Sequence, residues 1–600
     1  MELSINKFKD ESPIRTIQKI RGILTELGIL THETRWNKLN NFCYSVRIEI
    51  DGLPGSGVNG KGTSRLFALA SAYGELMERL QNRVLVSKKY GLKISDKFNH
   101  PDETFISYEK IVENEKLLKY LIIDYDKDKF STILKEYTSL SIGAPYYHFN
   151  NRKIEMLPIR LVGFSIGTNG MCAGNTNEEA LVHGICELLE RYVIKKIIFD
   201  ELTLPTVPLE ELVGFNIYKT IRFLENSGLK IYVKDCTLGG RYPVVGVLLV
   251  DTRSNKYIFK HGSDPVFEIA LERCLTEMFQ GFSKEELVNN ALNIEWDIKD
   301  KTFEDKRKSF ENICKNGTGQ FPNSIFFENK SVERLYYKPF CIDYTGSKQG
   351  LKHLLDLLRF ENFEIFIRNL SFANFPTFKI YIPGISEIYI QDFDSINRNF
   401  IVAKAAKAFL NLNSCSADEL SCLISELERL PINSYINQTQ IFKKMMLNLD
   451  ENNPLGNYPA KIILAFIYIK ENRKKDAFNI LNSFFTHNCN TPLINKDYYL
   501  CLLAYLKLSI DGLCPQDQIK NELAPIYNVG TIDEVILSVT QAENTLESTS
   551  LISCNDCKSC PLINYCNFPK WEEITNKILQ TIENDKSDQS TLFSFLDYCN

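Results

Sequence analysis

Six hundred residues exceed what one hydrophobic core can serve, so the chain is expected to fold as several domains or subdomains. An apolar fraction of 44% is ordinary for a soluble globular protein, and a net charge of −5 argues against general nucleic-acid binding. No apolar run approaches a membrane span, the first residues are too polar for a secretory leader, and single cysteines scattered through apolar patterns suit a reduced, cytoplasmic setting.

In chain order, residues 14–29 carry Ile17, Ile20, Ile23, Leu24 and Leu27 at helical spacing. Residues 44–50 alternate like a strand, and 51–62 (DGLPGSGVNGKG) read as a glycine-rich connection. Residues 66–86 form a long amphipathic helix holding Glu75-Leu-Met-Glu78-Arg79. Residues 95–160 are lysine-rich with weak strand signals, and 158–167 read as a strand leading to the small-residue turn 173–176. Thr176 followed by Glu179 has the form of a capping box, which starts the next helix there. That helix has Leu181, Ile185, Leu188, Leu189 and Val193 on one side and repeats the acidic phrase as Glu187-Leu-Leu-Glu190-Arg191. Residues 230–250 give two strands around Gly239-Gly240, the second apolar enough to be buried on both faces. Residues 259–264 read as a polar turn before a third helix, 270–280, with Glu272, Arg273 and Glu277. Residues 363–390 give further strands, broken by Pro376 and Pro383. Beyond about residue 400 the pattern is mainly helical. There Ala465, Tyr468, Ala477 and Leu481 fit one tetratricopeptide-type hairpin, which the helix 498–508 does not repeat cleanly. Residues 584–590 are polar and read as loose.

Two familiar motifs fail on mechanical grounds. Gly55-x4-Gly60-Lys61 lacks the Ser or Thr that should follow the lysine, since Gly62 stands there, so a glycine-rich turn is the better reading. Gly163-Phe-Ser165-Ile-Gly167 lacks the helix that a nucleophile elbow needs directly after its serine. The seven histidines show no metal-binding spacing, and His183 reads as a surface or satisfied core residue. The acidic helices are harder to set aside. One Glu-x-x-Glu-Arg is ordinary surface charge, but two near-identical copies suggest carboxylates converging on one site. In a dry site they cannot all stay ionised without cations. Mg²⁺ takes oxygen ligands and shares them with phosphates, and arginines hold phosphates, so the composition points to a divalent-metal phosphate site. Separately, Cys554-x2-Cys557-x2-Cys560-x5-Cys566 suits Zn²⁺ or a [4Fe-4S] cluster, the spacing slightly favouring the cluster; otherwise these are reduced thiols.

Asn59-Gly60-Lys61-Gly62, Glu75-x-x-Glu78-Arg79, Asn169-Gly-Met-Cys172-Ala-Gly-Asn175-Thr176, Glu187-x-x-Glu190-Arg191-Tyr192 and Arg273-x-x-x-Glu277-x-x-Gln280 resemble, in order and spacing, the YcaO family in its longer form. The resemblance covers about residues 1–545. It implies an α+β, YcaO-type ATP-binding fold without a P-loop in 1–400 followed by an all-α TPR-like domain in 401–545; the Cys-rich metal motif and tail in 546–600 are not a usual part of the family. It implies an ATP- and Mg²⁺-dependent enzyme that phosphorylates the oxygen of a peptide or protein backbone amide, yielding a heterocycle, an amidine or a thioamide. The implied Mg²⁺ ligands are Glu75, Glu78, Glu187, Glu190 and Glu277; the implied ATP contacts are Lys9, Thr16, Glu75, Asn175, Glu179, Arg191 and Arg273. Thr16 keeps the hydroxyl of a serine common in the family, and Cys172 stands at a serine-like position beside the phosphates. The proline-rich tail frequent in cyclodehydratases is absent, which points away from azoline formation. It points towards the branch linked to methylthiolation of a small-subunit ribosomal protein, where a non-catalytic accessory role is the alternative. The expected partners are a peptide or protein substrate, a sulfur-transfer or substrate-delivery protein and a second copy in a homodimer, with no membrane and no direct nucleic-acid contact. No catalytic residue is named by the sequence.

Overall fold

The computed structural model describes residues 9–39, 42–53, 56–85, 100–280, 286, 289, 291–294, 301–327, 346–412, 414–436, 459–488, 496–512, 514–515, 517–541, 557–558, 560, 562–566, 568–584 and 591–599. They fall into two compact units. The first takes in residues 9–85, 100–393 and 573–599; the second takes in 394–572.

The first unit is mixed helix and antiparallel sheet. Helix α1 (Pro13–Glu26) starts with Pro13 behind the cap Ser12 and buries Ile17, Ile20 and Leu24. Strands β1 (Thr31–Leu39), β2 (Cys43–Ile50) and β3 (Val58–Gly62) form a three-stranded antiparallel sheet. The last residues of the near-Walker sequence, 58–61, therefore lie in an edge strand, with Lys61 opposite Ser45 and Gly60 opposite Val46. Gly60 is required because a Cβ there would collide with the Ala68 carbonyl and the Ala72 amide of helix α2 (Arg65–Gln81). Three short helices follow, α3 (Tyr108–Glu113), α4 (Glu115–Leu121) and α5 (Lys127–Glu136), around the two-residue strand β4 (Thr104–Phe105). The lysine-rich region thus contains helices as well as the strands β5 (Ile142–His148) and β6 (Lys153–Pro158).

Residues 158–167, expected as a strand, instead contain helix α6 (Ile159–Ile166). A continuous apolar run suits a buried helix as well as a buried strand, and Arg160 to Val162 and Phe164 to Ile166 are all buried. Ser165 lies in this helix and donates its Oγ to the Leu121 carbonyl at 3.2 Å, which disposes of the nucleophile elbow. Strand β7 (Met171–Ala173) then leads to the central helix α7 (Asn177–Phe199). Thr176 caps it, accepting from the Glu179 amide at 3.1 Å.

After β8 (Thr206–Val207) and α8 (Ile217–Asn226) come β9 (Lys230–Asp235), β10 (Val244–Asp251) and β11 (Lys256–Ser263). With β12 (Leu292–Asn293) they form a five-stranded antiparallel sheet ordered β12-β11-β10-β9-β8, and residues 244–250 are buried as expected. Residues 259–264, expected as a turn, are mostly β11, in which Lys260 lines a cavity and His261, on the opposite face, is buried against Phe259 and Phe321. Helix α9 (Phe267–Met278) packs on β10 and β11. Helices α10 (Phe303–Asn316) and α11 (Ser347–Phe360) pack on α7. Strands β13 (Phe366–Asn369) and β14 (Thr377–Tyr381) complete the sheet β4-β5-β13-β14-β7, with β6 paired to β5. Leu181, Ile185, Leu188, Leu189 and Val193 of α7 are fully buried, gripped by β14 and β7 on one side and β11 on another. Near the C-terminus, Phe593 stacks on Tyr147 at 4.7 Å, and Leu596 enters the same core.

The second unit is helical: α12 (Phe393–Leu410), α13 (Ala417–Arg429), α14 (Ala460–Lys470), α15 (Lys474–His487), α16 (Lys496–Asp511), α17 (Ile519–Leu523), α18 (Val529–Thr540) and α19 (Phe568–Asn584), the first and last of which cross its boundaries. Ala465, Tyr468, Ala477 and Leu481 are buried where α14 and α15 form a helical hairpin. Buried Lys461 caps the end of α13, donating to the carbonyls of Leu427 and Glu428 at 2.9 Å each. Residues 585–590 lie outside the described residues. Among the described residues, no helix is long and apolar enough to cross a membrane.

Candidate active site

A cavity of about 1090 Å³ opens in the first unit. It is lined by Lys9, Thr16, Glu75, Glu78, Asn175, Glu179, Glu187, Glu190, Arg191, Arg273 and Glu277, so every residue assigned to nucleotide or Mg²⁺ by resemblance reaches one space. Three helices bring eight of them there, while Lys9, Thr16 and Asn175 come from the start of the chain and the turn before α7. α2 carries Glu75 and Glu78, α7 carries Glu179 to Arg191, and α9 carries Arg273 and Glu277; on each helix i,i+3 or i,i+4 spacing keeps the side chains on one face.

One end is built where the start of the chain meets the N-terminus of α7. The Thr16 hydroxyl donates to Asn175 Oδ1 at 2.8 Å, and Asn175 Nδ2 donates to the Glu179 carboxylate at 3.1 and 3.2 Å. Glu179 also accepts the Asp10 amide at 3.1 Å and pairs with Lys9 at 3.4 Å. Asp10 accepts from the Thr176 and Ser347 hydroxyls. Glu179 therefore does not reach back to its own cap in a capping box; it ties residues 9–10 to the helix.

The other end is acidic. Arg79 pairs with Glu75 at 2.8 Å, and Arg191 pairs with Glu187 at 2.6 Å. Arg191 also donates to Asn169 Oδ1 at 2.7 Å, and Asn169 Nδ2 is anchored on the Ser386 carbonyl at 2.7 Å. Lys61 of β3 meets Glu277 at 2.5 Å. Burial, and then the charges of Glu187 and Glu75, push the Glu78 carboxyl well above the usual range. Burial and Glu277 push Glu190 up to about 8. Burial opposes the charge on Glu277 as well, yet Lys61 and Lys260 beside it hold its pKa below the ordinary value.

Among the described residues, no three His, Cys, Asp or Glu side chains already stand in a metal-holding group. The donor set nonetheless suits Mg²⁺ in kind: five carboxylates share one cavity, and burial works against the charge of those whose pKa departs from normal. Arg273 is half-buried, and its buried Nε has no hydrogen-bond acceptor among the described residues, which suits an anionic ligand.

Lys61 escapes a reading of the sequence because its motif fails the P-loop test; its signal is the adjoining glycines, which let β3 approach α2. His183, a lone histidine by spacing, lines the cavity on the same stripe as Glu179 and Glu187. Cys172 does not border the cavity. It is buried against Gly184, its thiol directed at the Phe378 carbonyl at 3.7 Å, and burial followed by the charges of Glu78 and Glu187 raises its pKa well above normal. A serine-like phosphate contact is therefore not its role. Cys557, Cys560 and Cys566 are half-buried, and Cys554 lies outside the described residues.

Residues 59–386 match the family described as YcaO cyclodehydratase, ATP- and Mg²⁺-binding. The chain is 26% identical over 556 residues to an uncharacterized protein of Haemophilus influenzae, covering 89% of this chain and 92% of that protein. It is 25% identical over 555 residues to the ribosomal protein S12 methylthiotransferase accessory factor YcaO of Escherichia coli K12, covering 88% and 90%. Among solved structures, YcaO from Methanopyrus kandleri bound with AMPPCP and Mg²⁺ aligns with a TM-score of 0.41 at 17% identity, over 63% of this chain and 92% of that one.

Proposed function

The chain belongs to the YcaO family, whose match takes in residues 59–386, and we propose that it is an ATP- and Mg²⁺-dependent enzyme that activates a peptide or protein backbone amide. An amide is a poor electrophile because its nitrogen donates into the carbonyl, and its oxygen is a poor leaving group. In the proposed reaction a nucleophile adds to the carbonyl carbon, and the oxygen takes a phosphoryl group from ATP. That oxygen then departs with phosphate, leaving a new C=N or C=S bond.

Glu75, Glu78, Glu187, Glu190 and Glu277 would hold Mg²⁺, which when bound neutralises phosphate charge as it shifts during transfer. Lys9, Arg191 and Arg273 would bind phosphate oxygens, with Arg191 aimed by Glu187 and Asn169. Thr16, Asn175 and Glu179 form a hydrogen-bonded chain that orients the nucleotide end. The observation that supports the reading most is the state of Glu78 and Glu190, two half-buried carboxyls on the cavity wall whose pKa is raised by desolvation and then by neighbouring carboxylates, an arrangement that a bound cation would relieve. Calorimetric titration of Mg-ATP tests it: Glu187→Gln and Glu190→Gln should each abolish binding with the circular dichroism unchanged. Wild-type affinity in both variants would sink the assignment.

The name of the E. coli relative favours a second reading, an accessory factor for methylthiolation of ribosomal protein S12. The two readings separate on whether adding that protein raises ATP turnover. Stimulation that depends on Glu190 supports the enzyme; binding without turnover supports the accessory role. The four-cysteine run remains a proposal for Zn²⁺ or a [4Fe-4S] cluster on its spacing alone. Metal analysis of anaerobically purified protein decides it, and finding neither iron nor zinc would reduce the run to free thiols.

A further inference from the structure

His183 has no place in the proposed chemistry so far, yet its position is not that of a bystander. On α7 it lies four residues after Glu179 and four before Glu187, so the three follow one stripe at steps of about 6 Å. Glu179 belongs to the hydrogen-bonded nucleotide end, and Glu187 to the carboxylate end. The residue between them faces the length of cavity that joins the two.

What stands across from it has a single prevailing sign. Arg273 of α9, Lys9 of the N-terminal segment and Lys61 of β3 all act on the His183 ring, with Glu277 the one opposing charge among its leading influences. Lys9 and Lys61 are each tied to a carboxylate, Glu179 and Glu277, whereas half-buried Arg273 leaves its Nε without an acceptor among the described residues. Among the described residues, none hydrogen-bonds the His183 imidazole. Three cations and an imidazole around one stretch of cavity form a cradle for a polyanion longer than one phosphate.

We propose that His183 donates a hydrogen bond to the polyphosphate chain of the bound nucleotide, between the nucleotide end at Glu179 and the metal end at Glu187. This rests on the Mg-ATP reading of the cavity and adds a contact that the resemblance does not supply. A charge consequence follows. In the free protein burial, then Arg273, Lys9 and Lys61, hold the ring well below the ordinary histidine pKa, so it is neutral at pH 7. Polyphosphate cancels those three cations and brings negative charge to the ring, so its pKa rises on binding and the ring takes up part of a proton. Glu179 and Glu187 on its own helix and Glu277 opposite add to that pull, while Arg273, Lys9 and Lys61 resist it.

The test is calorimetry of Mg-ATP with the full chain at pH 7, in buffers of different ionisation enthalpy, on wild type, His183→Gln and His183→Leu. Leucine removes the donor and should weaken binding roughly tenfold, whereas glutamine keeps an N–H and should stay within about threefold. Wild type should take up more protons on binding than His183→Gln; Mg²⁺ displaces protons from the carboxyls in both, so the difference isolates the imidazole. A merely structural role would not move that difference. Wild-type affinity in His183→Leu, or equal proton stoichiometry in wild type and His183→Gln, overturns the proposal and leaves the ATP reading standing. Failure of wild type to bind Mg-ATP overturns both. If His183→Leu loses its folded circular dichroism, the proton difference between wild type and His183→Gln alone decides between the two outcomes.

Discussion

Helices α2 and α7 carry the same phrase, Glu-x-x-Glu-Arg, and the fold treats the two copies alike at the first glutamate and differently at the second. In each copy the arginine pairs with the glutamate four residues before it, Arg79 with Glu75 and Arg191 with Glu187. The second glutamates meet different company. Glu78 is pressed by Glu187 and Glu75, while the two arginines that oppose this are already paired with those same carboxylates. Glu190 is pressed by Glu277, but Arg273 of α9 and Lys61 of β3 stand against it. The α2 copy is therefore the acid-rich side of the cavity, and the α7 copy is partly balanced by elements that the phrase does not contain. Helical spacing decides where the carboxylates point; neighbours from other elements decide their charge.

The comparison breaks most visibly at Glu78. Glu78→Gln should lower Mg-ATP affinity on the order of 100-fold, because a charged ligand is lost. It should also raise the melting temperature of the metal-free protein at pH 8, since the amide removes an uncompensated buried charge. A lower metal-free melting temperature would show that Glu78 already has its counter-charge within the protein.

A smaller effect lies in pH. Glu190 keeps its proton up to about pH 8 in the metal-free protein, against 4.5 for an ordinary glutamate. The folded state thus holds more protons than the unfolded one between those values, and this group's contribution to stability is lost as pH rises through that window. Mg²⁺ needs the carboxylate, so binding expels a proton below about pH 8. Mg-ATP affinity should therefore climb on the order of 50-fold from pH 6 to 8 and level off above about pH 9. Titrations at four pH values check this, and a pH-independent affinity would show that Glu190 is already ionised before the metal arrives.

The cations come next. Arg191→Ala should weaken nucleotide binding by about tenfold or more, since it removes a paired, buried guanidinium. Lys61→Ala should cost several times less, because Lys61 is engaged with Glu277. The reverse order would make the glycine-rich segment the chief phosphate holder in spite of its strand geometry.

How much of this was legible in the sequence follows the same division. The three acidic helices and the buried stripe of α7 could be read because side-chain spacing at 3.6 residues per turn is a local property. Strand β11 was missed because Lys260 lines a cavity while His261 is buried on the opposite face, and a strand with polar residues on both faces looks like a turn. Helix α6 was missed because burial on every side erases periodicity. Lys61 and His183 depended on long-range packing, β3 against α2 and α7 against α9, which no local pattern contains.

The finest test uses the arginines themselves. Arg191 makes two contacts in different directions, with Glu187 at 2.6 Å and Asn169 at 2.7 Å, and Asn169 is itself held by the Ser386 carbonyl. Arg79 has the pair with Glu75 at 2.8 Å and is more exposed. A lysine keeps the charge but loses the planar fork that lets one group serve two partners. Arg79→Lys should therefore change Mg-ATP affinity less than about twofold, whereas Arg191→Lys should cost roughly fivefold, a hydrogen bond's worth. Equal losses would mean that the two copies are used alike, and that the Asn169 anchor contributes nothing to holding the phosphate-binding arginine in place.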